Sequence, residues 1–376
     1  MSPRSRFEPH GPSDYRFPAE WEKHEATWIG WPHNTTDWPG KFAPIPWVYA
    51  EIVRQLARGE TVRVLVNSAS HKERAARVLK DAGADLARVQ FFQAPTDRGW
   101  TRDFGPIFLR QRRKSASHAE GGLVIAGFRF NGWAKYRNHK LDARVARQLA
   151  RRLHVPFVPV SLEGRDIVLE GGAIDVNGRG TVLTTEECLL DPDVQTRNPG
   201  LTRGDLERVF AEYLGASKTL WLGRGIAGDD THGHVDDLCR FVAPRTLVLC
   251  RERDPSDANH RPLEENWERV QDFRLEDGSK PETVPLPMPS PLYFHGRRLP
   301  ASYANFYISN AAVLVPTFND PNDRIALGVL AELIPDLPVI GIHAVDLVWG
   351  LGTLHCLTQQ QPDREAWSLK NETDPG

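Results

Sequence analysis

The chain has 376 residues, of which 40% are hydrophobic and 26% are charged, and its formal net charge at pH 7 is -2. This composition is typical of a globular protein and excludes a largely disordered chain. A near-neutral charge gives no electrostatic basis for binding nucleic acid or an anionic membrane, so neither partner is expected. The length alone predicts two or three domains.

Apolar stretches such as residues 311–316 are far shorter than a membrane span requires. The first twenty residues are polar and interrupted by prolines, so no secretory signal is expected. The cysteines show no CxxC spacing; they are Cys188, Cys239, Cys250 and Cys356. Isolated cysteines of this kind are typical of reduced thiols, and we therefore expect a cytoplasmic protein.

Short strand patterns alternate with amphipathic helical patterns along the chain. In chain order they predict a strand at 62–66, a helix at 71–81, strands at 89–92 and 122–131, a helix at 142–153, a hairpin across 167–185 that turns at Asn177-Gly178, a helix at 206–213, a strand at 219–222, a hairpin across 235–250, a helix at 261–273, a strand at 307–316, a helix at 324–333 and a strand at 339–342. This rhythm alone predicts a generic α/β protein with a mixed sheet.

Side chains capable of chemistry are concentrated in four glycine-containing segments, at residues 100–106, 169–172, 229–237 and 350–361. Taken singly, each also has a purely structural interpretation. Asp103 can pair with its neighbour Arg102 or cap a loop. Glu170 can lie on a solvated face, although the two glycines that follow it leave backbone room for a ligand. Trp100 is typical of core packing, with stacking on a substrate cation as the alternative.

Cys356 lies in a different setting from the other three cysteines, which are expected to be small core residues. Glycines precede it and polar residues 358–361 follow it, a pattern unlike that around a buried structural thiol. A nucleophilic cysteine needs exposure, a mobile backbone and a group that stabilises its thiolate. His355 is adjacent, but neighbours on an extended chain point to opposite faces, so His234 is the expected base.

His232, His234 and Asp236 form a His-x-His-x-Asp pattern, for which a metal site is one interpretation. The next position is Asp237 instead of the histidine of the zinc signature, so general acid/base chemistry by His234 is favoured. Residues two apart on a strand share a face. We therefore expect Asp236 in the same pocket as His234, and Asp237 on the opposite face.

Together these segments supply one thiol, one imidazole and three carboxylates, the last from Asp103, Glu170 and Asp236. Several acids around a nucleophile suit a guanidinium, whose planar N–H groups match carboxylates bidentately. The three acids lie at nearly equal steps along the chain, and a double step leads to Cys356. Such steps indicate a repeated unit that sends one side chain each to a common central pocket.

Longer motifs in the same order resemble the agmatine deiminases, which belong to the guanidine-modifying (pentein) superfamily with arginine deiminase and bacterial peptidylarginine deiminase. The resemblance extends from residue 18 to residue 362. It rests on the motifs WIGWP at 28–32, WTRDFGP at 100–106, FNGWAKY at 130–136, LTTEECLL at 183–190, GHVD at 233–236, YANFY at 303–307 and HC at 355–356. Several long motifs in one order are far more specific than any one of them.

The resemblance implies a five-bladed α/β propeller with its site on a pseudo-fivefold axis. The chain is then a single domain, residues 1–376, with a core at 15–362 and a polar tail at 363–376. This implication replaces the two or three domains that the length predicts.

The resemblance also implies roles for the candidate residues. Cys356 is the implied nucleophile, and His234 is the implied general acid/base. Asp103 and Asp236 clamp the guanidinium, while Glu170 lies beside both the substrate and His234. The residues implied to bind substrate are Trp100, Asp103, Glu170, Asp230 and Asp236.

The implied reaction hydrolyses agmatine to N-carbamoylputrescine and ammonia through a covalent thiouronium on Cys356, with no cofactor and no metal. His234 protonates the leaving amine and then activates a water. Three carboxylates oppose formation of the Cys356 thiolate, so either a protonated His234 or the bound dication must lower the thiol pKa. Many relatives assemble as homodimers, which makes a homodimer the implied assembly.

Other functions stay open on the sequence alone. The substrate of a deiminase can also be free arginine, peptidyl-arginine or a guanidino acid, and a metal-dependent hydrolase would use His232, His234 and Asp236. A papain-type hydrolase is disfavoured because its nucleophile lies near the mature N-terminus, whereas Cys356 lies near the end of this chain. A receptor without enzymatic activity is disfavoured because all the reactive residues are present. Two departures from the family, the loop at 350–354 and His232, affect the pocket wall and hence the far end of the substrate.

Overall fold

The computed structural model of the chain describes residues 13–111 and 122–364. Within these ranges the protein is a mixed α/β structure built from short strands and α-helices. The predicted polar tail lies outside the described residues from residue 365 onward, as do the first twelve residues. No helix in the described ranges combines the length and the apolar character that a bilayer span requires.

The strands are short and follow one another along the whole described chain. They are β1 (Tyr15–Arg16), β2 (His24–Gly30), β3 (Thr61–Val66), β4 (Val89–Gln93), β5 (Ile107–Gln111), β6 (Leu123–Gly127), β7 (Phe157–Pro159), β8 (Ser161–Leu162), β9 (Arg165–Asp166), β10 (Asp175–Val176), β11 (Thr181–Thr185), β12 (Lys218–Leu222), β13 (Cys239–Ala243), β14 (Thr246–Arg251), β15 (Glu282–Pro287), β16 (Tyr293–Phe294), β17 (Arg297–Arg298), β18 (Tyr307–Ile308), β19 (Val313–Thr317), β20 (Val339–His343) and β21 (Thr358–Pro362).

The helices lie between these strands. They are α1 (Ile45–Leu56), α2 (Ala69–Asp81), α3 (Thr101–Phe104), α4 (Val145–Leu153), α5 (Glu186–Leu190), α6 (Arg203–Val209), α7 (His260–Arg269), α8 (Pro321–Leu333) and α9 (Leu354–Leu357). α8 shows how the sequence sets a boundary: Asp320 caps its N-terminus, Pro321 occupies the first turn, and Asp323 closes a capping box.

Five sheets of three or four strands are built to one plan. Their strand orders are β21-β2-β3-β4, β1-β5-β6-β7, β10-β11-β12, β13-β14-β15 and β18-β19-β20. Each sheet contains an antiparallel pair next to a parallel pair, for example β10-β11 antiparallel and β11-β12 parallel. The strands of a parallel pair need a long crossover, which a helix supplies, as α7 does between β14 and β15. The repeated unit expected from the spacing of the acids is therefore present in the structure.

The sheets and helices bury two apolar clusters. The larger cluster includes Trp28, Phe108 and Leu357, and the smaller one includes Phe17, Ile167 and Trp221. The mixed α/β class expected from the sequence is confirmed. The single mixed sheet expected from the rhythm is wrong, because the strands divide into separate small sheets.

Most predicted elements are confirmed, and the exceptions lie around the candidate site. Residues 167–175 form a 3-10 turn at Gly171–Ala173 followed by the two-residue β10, instead of one strand. Residues 235–237 form a 3-10 turn instead of the start of a strand. Residues 307–316 are not one strand but the β18-β19 hairpin. Cys356 lies on α9 and not in a flexible loop, and the polar residues that follow it belong to β21.

One strand in each of the five sheets is preceded by a short helix, turn or coil that carries a polar or thiol side chain. Asp103 lies on α3 just before β5, and Glu170 lies before β10. His234 and Asp236 lie before β13, Asn305 lies before β18, and Cys356 lies before β21. The repeated architecture therefore supplies one site segment per sheet.

Candidate active site

A cavity of about 120 Å³ is lined by residues from several of these segments. Its buried lining includes Trp100, Asp103, Trp133 and Cys356, and we call this part, with the buried residues behind it, the floor. The other charged and phenolic residues of the lining are called the mouth, namely Asp37, Arg98, Tyr136, Asp230 and Arg297. Arg297 is exposed and Tyr136 and Asp230 are partly exposed, whereas Asp37 and Arg98 are buried.

Cys356 reaches the cavity from the short helix α9. Asn305, from the neighbouring sheet, caps this helix: its Oδ1 accepts the backbone N–H of His355 at 3.0 Å and that of Cys356 at 3.3 Å. The Asn305 amide nitrogen also donates to the Cys356 sulfur at 3.1 Å. One side chain thus fixes both the backbone and the thiol of the candidate nucleophile.

The expected exposed, loosely held setting of Cys356 is wrong. Only 5% of the residue is exposed, and the polar residues that follow it form the buried strand β21. Distant side chains satisfy part of their polarity: Gln360 accepts from Arg102 at 2.7 Å, and Gln361 accepts from Trp28 at 3.0 Å. Burial raises the pKa of the Cys356 thiol well above its usual range, and three neighbouring aspartates raise it further.

Asp103 is held by two donors that leave one edge of its carboxylate facing the cavity. Trp133 Nε1 donates to Oδ2 at 2.8 Å, and the backbone N–H of Gly172 donates to Oδ1 at 3.1 Å. Burial raises the pKa of Asp103 to about 6, with the nearby His234 acting against the shift.

His234 is fully buried between two carboxylates. Its Nδ1 lies 3.8 Å from Asp103 Oδ1, and its Nε2 lies 3.8 Å from Glu170 Oε2. Among the described residues neither ring nitrogen has a hydrogen-bond partner. Burial lowers the pKa of the imidazole, but Asp103, Cys188 and Glu170 outweigh burial and raise it well above its usual value. The flanking carboxylates of Asp103 and Glu170 therefore favour the imidazolium form of His234.

Glu170 is not on a solvated face but completely buried. Arg197 Nε donates to its Oε1 at 3.2 Å, while Oε2 faces His234. Although burial raises the pKa of Glu170, the Arg197 guanidinium and His234 lower it to about 2. Glu170 is therefore ionised at neutral pH and sustains the charge of His234.

Gly172 shows that three of these side chains converge. A Cβ atom placed on Gly172 would lie 2.6 Å from His234 Nδ1, 2.9 Å from Asp103 Oδ1 and 3.1 Å from Asp236 Oδ2. Only glycine leaves this point open, because any side chain would contact all three groups. The backbone room that Gly171-Gly172 indicated in the sequence is real, and it lies inside the candidate site.

Asp236 faces Cys356 on one side and a buried ionic network on the other. Its Oδ2 accepts from His355 Nδ1 at 2.7 Å and lies 3.6 Å from the Cys356 sulfur. His355 Nε2 lies 2.9 Å from Glu20 Oε2, and Glu20 pairs with Arg240 at 3.0 Å. Burial raises the pKa of Asp236, but His355 and other cations lower it below its usual value.

This network corrects the reasoning about His355. The residue lies on a helix and not on an extended strand, yet it points away from the cavity towards Glu20. The expectation that His234 and not His355 serves the substrate stays a prediction, now for a different geometric reason.

The expected orientation of Asp237 is wrong. Because residues 235–237 form a turn, Asp237 is buried beside the site, where Asn305 Nδ2 donates to its Oδ1 at 3.0 Å. Burial raises the pKa of Asp237 well above its usual value, and Asp236 raises it further. Asp237 therefore supports Asn305, the residue that holds Cys356.

The structure does not bring His232, His234 and Asp236 together as metal ligands. His232 Nε2 lies 2.8 Å from Asp191 Oδ2, outside the cavity lining. Within the described ranges, two groups of three buried residues have possible ligand atoms within 4.8 Å of one another, Glu170–Cys188–His234 and Asp236–Asp237–Cys356. The geometry therefore does not support the alternative interpretation of His232, His234 and Asp236 as one set of metal ligands.

Trp100 and Asp230 both line the cavity, as expected for substrate-binding residues. Trp100 also packs on Trp38, with ring centroids 5.3 Å apart, so the packing interpretation is correct as well. Asp230 belongs to the mouth, where its carboxylate already pairs with Lys135 at 2.8 Å and Arg297 at 2.7 Å.

Three contributors were missed as site residues by reasoning from the sequence. Asn305 and Trp133 lie in the YANFY and FNGWAKY motifs, so their motifs carried the signal although no role was assigned. Arg197 gave no local signal, because it lies in a polar loop and finds Glu170 only through the fold. A buried carboxylate in an apolar segment was the available clue, since such a group requires a cationic partner.

Three carboxylates, an imidazole and a thiol lie at the floor of a small cavity, and carboxylates in such an arrangement can accept hydrogen bonds from a compact, planar cation. The chain belongs to the Porphyromonas-type peptidyl-arginine deiminase family, which matches residues 16–362. The family expectation from the motifs is thereby confirmed.

Similar proteins narrow the comparison further. An agmatine deiminase of Medicago truncatula is 35% identical, and the match covers 93% of this chain and 96% of that protein. A C. jejuni agmatine deiminase, solved as a cysteine-to-serine variant with substrate bound, is 30% identical with a TM-score of 0.80, covering 93% of this chain and 97% of that one. The structure of an Enterococcus faecalis agmatine deiminase gives 28% identity and a TM-score of 0.83, covering 93% and 96% of the two chains.

Proposed function

We propose that this chain hydrolyses the guanidinium group of agmatine, releasing ammonia and N-carbamoylputrescine. The observation that carries the proposal is the convergence of His234, Asp103 and Asp236 on one open point at the floor, where Cys356 lies 3.6 Å from Asp236. The agmatine deiminases named above support agmatine as the substrate.

Asp103 and Asp236 bind the guanidinium in this proposal. A guanidinium presents five N–H donors in a plane, and two carboxylates on different elements can accept them from two edges. Among the described residues Asp236 Oδ1 and Glu170 Oε2 are buried without a hydrogen-bond partner. These two oxygens can therefore accept hydrogen bonds from a guanidinium bound at the floor. Trp100 lines the same space and provides an aromatic wall for the cation.

The bound guanidinium lowers the raised pKa of the Cys356 thiol in this proposal. The pKa of Cys356 is raised by burial and by three aspartates, and a guanidinium placed between Asp103 and Asp236 offsets their charge. The thiol proton has Asp236 Oδ2 as an acceptor at 3.6 Å. Substrate binding therefore generates the thiolate where it is needed, and of the two alternatives left by the sequence we favour the bound dication.

The first chemical step forms a bond between the Cys356 sulfur and the guanidinium carbon. His234, already an imidazolium, gives a proton to one terminal nitrogen, which leaves as ammonia. A thiouronium then remains on sulfur. Glu170 and Arg197 position His234 for this transfer.

In the second step His234 accepts a proton instead of donating one. His234 is neutral after ammonia has left, so it can accept a proton from water as the water attacks the thiouronium carbon. Collapse of that adduct breaks the carbon–sulfur bond and releases the ureido product, while the proton of the added hydroxyl group passes to the sulfur and restores the Cys356 thiol. The proton that Asp236 accepted from the thiol passes to solvent, where ammonia becomes ammonium. No cofactor takes part in either step.

The architecture and setting complete the proposal. We infer that the five similar sheets are the blades of a pseudo-fivefold α/β propeller and that the chain is one domain around this site. All four cysteines, each within the described ranges, are free thiols, which fits a cytoplasmic enzyme. We further propose that it works as a homodimer on a small cationic guanidine.

Ammonia release from four guanidines tests the substrate. The panel consists of agmatine, free arginine, a blocked arginine peptide and 4-guanidinobutyrate, each assayed with the wild type and with Cys356→Ser. We expect turnover of agmatine that the substitution removes. Turnover of the peptide or of arginine in preference to agmatine would replace agmatine as the substrate, and equal turnover by Cys356→Ser would exclude the thiol mechanism.

A further inference from the structure

The carboxylate of Asp230 at the mouth is fully engaged. Lys135 Nζ lies 2.8 Å from its Oδ1, and Arg297 Nη2 lies 2.7 Å from the same oxygen. The Tyr136 hydroxyl donates to the other oxygen at 2.5 Å. These partners outweigh burial and lower the pKa of Asp230. An ammonium group that binds Asp230 must therefore displace a cation that is already there.

The other residues of the mouth do not give it a net negative charge. Arg98 pairs with Asp37 and lies over the Tyr136 ring, 4.2 Å from its centroid. Burial raises the pKa of Asp37 to about 7, which reduces its average charge at neutral pH. Three cationic side chains, including Lys135 and Arg297, thus face two carboxyl groups.

Arg297 is the cation best placed to exchange partners. It lines the cavity, and its side chain is 46% exposed. It lies at the end of the β16-β17 hairpin, whose turn residues His295 and Gly296 have φ of 48° and 75°. The hairpin is anchored by Phe294, whose ring centroid lies 4.5 Å from that of Trp349, and the next residue, Arg298, pairs with Asp257 at 3.0 Å and 3.2 Å. The hairpin is thus held in place while the Arg297 side chain is free to leave Asp230.

We propose that Arg297 is a specificity-determining residue that gives the mouth a subsite for a carboxylate at the far end of a linear guanidine. A substrate ammonium competes with Arg297 for Asp230, whereas a substrate carboxylate binds Arg297 directly. The ligand class is therefore the ω-guanidino acids, accepted beside agmatine. This inference rests on the proposed function, because it concerns the tail of the substrate whose guanidinium reacts at Cys356.

Three guanidines of similar length test the subsite. Agmatine ends in an ammonium, 4-guanidinobutyrate ends in a carboxylate, and butylguanidine ends in an uncharged methyl group. Steady-state ammonia release is measured for each with the wild type, Arg297→Gln and the matched control Arg298→Gln. The control removes the same charge from the same hairpin at a residue that pairs with Asp257 and not with Asp230.

For Arg297→Gln we expect the ratio of kcat/KM for agmatine to that for 4-guanidinobutyrate to rise about tenfold or more, through opposite changes in KM. The values for butylguanidine should change less than about threefold, and Arg298→Gln should leave the ratio unchanged. A ratio that is unmoved in Arg297→Gln, or that moves equally in Arg298→Gln, would overturn the inference while the proposed function stands. If the wild type releases ammonia from none of the three guanidines, the proposed function fails and this inference fails with it.

Discussion

The floor and the mouth of the cavity use charge in opposite ways. At the floor, buried ionisable groups keep hydrogen-bonding atoms without partners within the described structure, notably both nitrogens of His234 and one oxygen of Asp236. At the mouth, Asp230 is saturated by two cations and a phenol on partly exposed side chains. A buried polar atom without a partner is costly, so the floor is organised to receive a ligand. The mouth exchanges existing partners, which suits selection among substrate tails.

This contrast predicts different kinetic signatures. Substitutions at the floor should mainly lower kcat, because the floor holds the groups that act in the transition state. Substitutions at the mouth should mainly change KM, because the mouth contacts a part of the substrate that does not react. The expected effects at the floor follow from the largest to the smallest.

The largest effect is expected for Cys356→Ser, which should lower kcat at least about 10⁴-fold while agmatine still binds. The reason is that Cys356 is the only cysteine among the described residues that line the cavity. Calorimetric titration and ammonia release measure the two quantities. Cys239→Ala, in the core strand β13, is the control, and its inactivity beside an active Cys356→Ser would refute the assignment.

Asp103→Asn and Asp236→Asn should each lower kcat/KM by about 30-fold to several thousand-fold, because each replaces a charged acceptor facing the guanidinium with an amide. Asp237→Asn should lower it less than about fivefold. Burial raises the pKa of Asp237, which favours its uncharged form, and the amide oxygen of the variant can still accept from Asn305. Steady-state kinetics, with circular dichroism to check folding, compare the three. The clamp would be misassigned if Asp237→Asn proved the most damaging.

Gly172→Ala should lower kcat about 100-fold, because its new methyl group would lie 2.6 Å from His234 Nδ1 and force the reacting groups apart. Gly328→Ala, on α8, is the matched control, since its methyl group meets nothing within 4 Å. That control should be as active as the wild type and about 1 kcal/mol more stable. Full activity in Gly172→Ala would show that the floor is not as closely packed as described.

The smallest effect is the pH dependence. Burial raises the pKa of Asp103 to about 6, so its carboxylate is present above this pH and is protonated as the pH falls through it. The value of kcat/KM should therefore fall about tenfold per pH unit below pH 6. Asp103→Asn should lack this limb of the profile at its lower overall activity. A wild-type profile that is flat down to pH 4.5 would contradict the raised pKa.

The sequence allowed the parts of the fold that depend on local pattern to be predicted. The β-branched run of β3, the amphipathic α2 and the Asn177-Gly178 turn carry their signals within a few residues. The division into five sheets does not, because the pairing of β21 with β2 joins the two ends of the described chain. Such a pairing leaves no trace in a local window.

In the candidate site, too, features carried by local motifs could be predicted, and features that depend on distant residues could not. Cys356, His234 and the three acids stood out because reactive residues among glycines form recognisable motifs. Their burial was missed, since a polar segment such as 358–361 reads as exposed unless its distant partners are known. Arg102 and Trp28, which donate to the side-chain oxygens of Gln360 and Gln361, lie more than 200 residues away in the sequence. The turn at residues 235–237 was missed for a related reason, because its conformation lets both Asp236 and Asp237 reach buried partners.

The covalent intermediate on Cys356 is the central claim, and mass spectrometry of acid-quenched enzyme tests it most directly. The wild type is mixed with saturating agmatine, quenched over a time course that spans the first turnovers, and digested for peptide mapping. We predict a mass increase equal to agmatine minus ammonia on the peptide that contains Cys356, and none in Cys356→Ser. An adduct on a different residue, or unmodified Cys356 throughout a time course in which agmatine is consumed, would contradict the account.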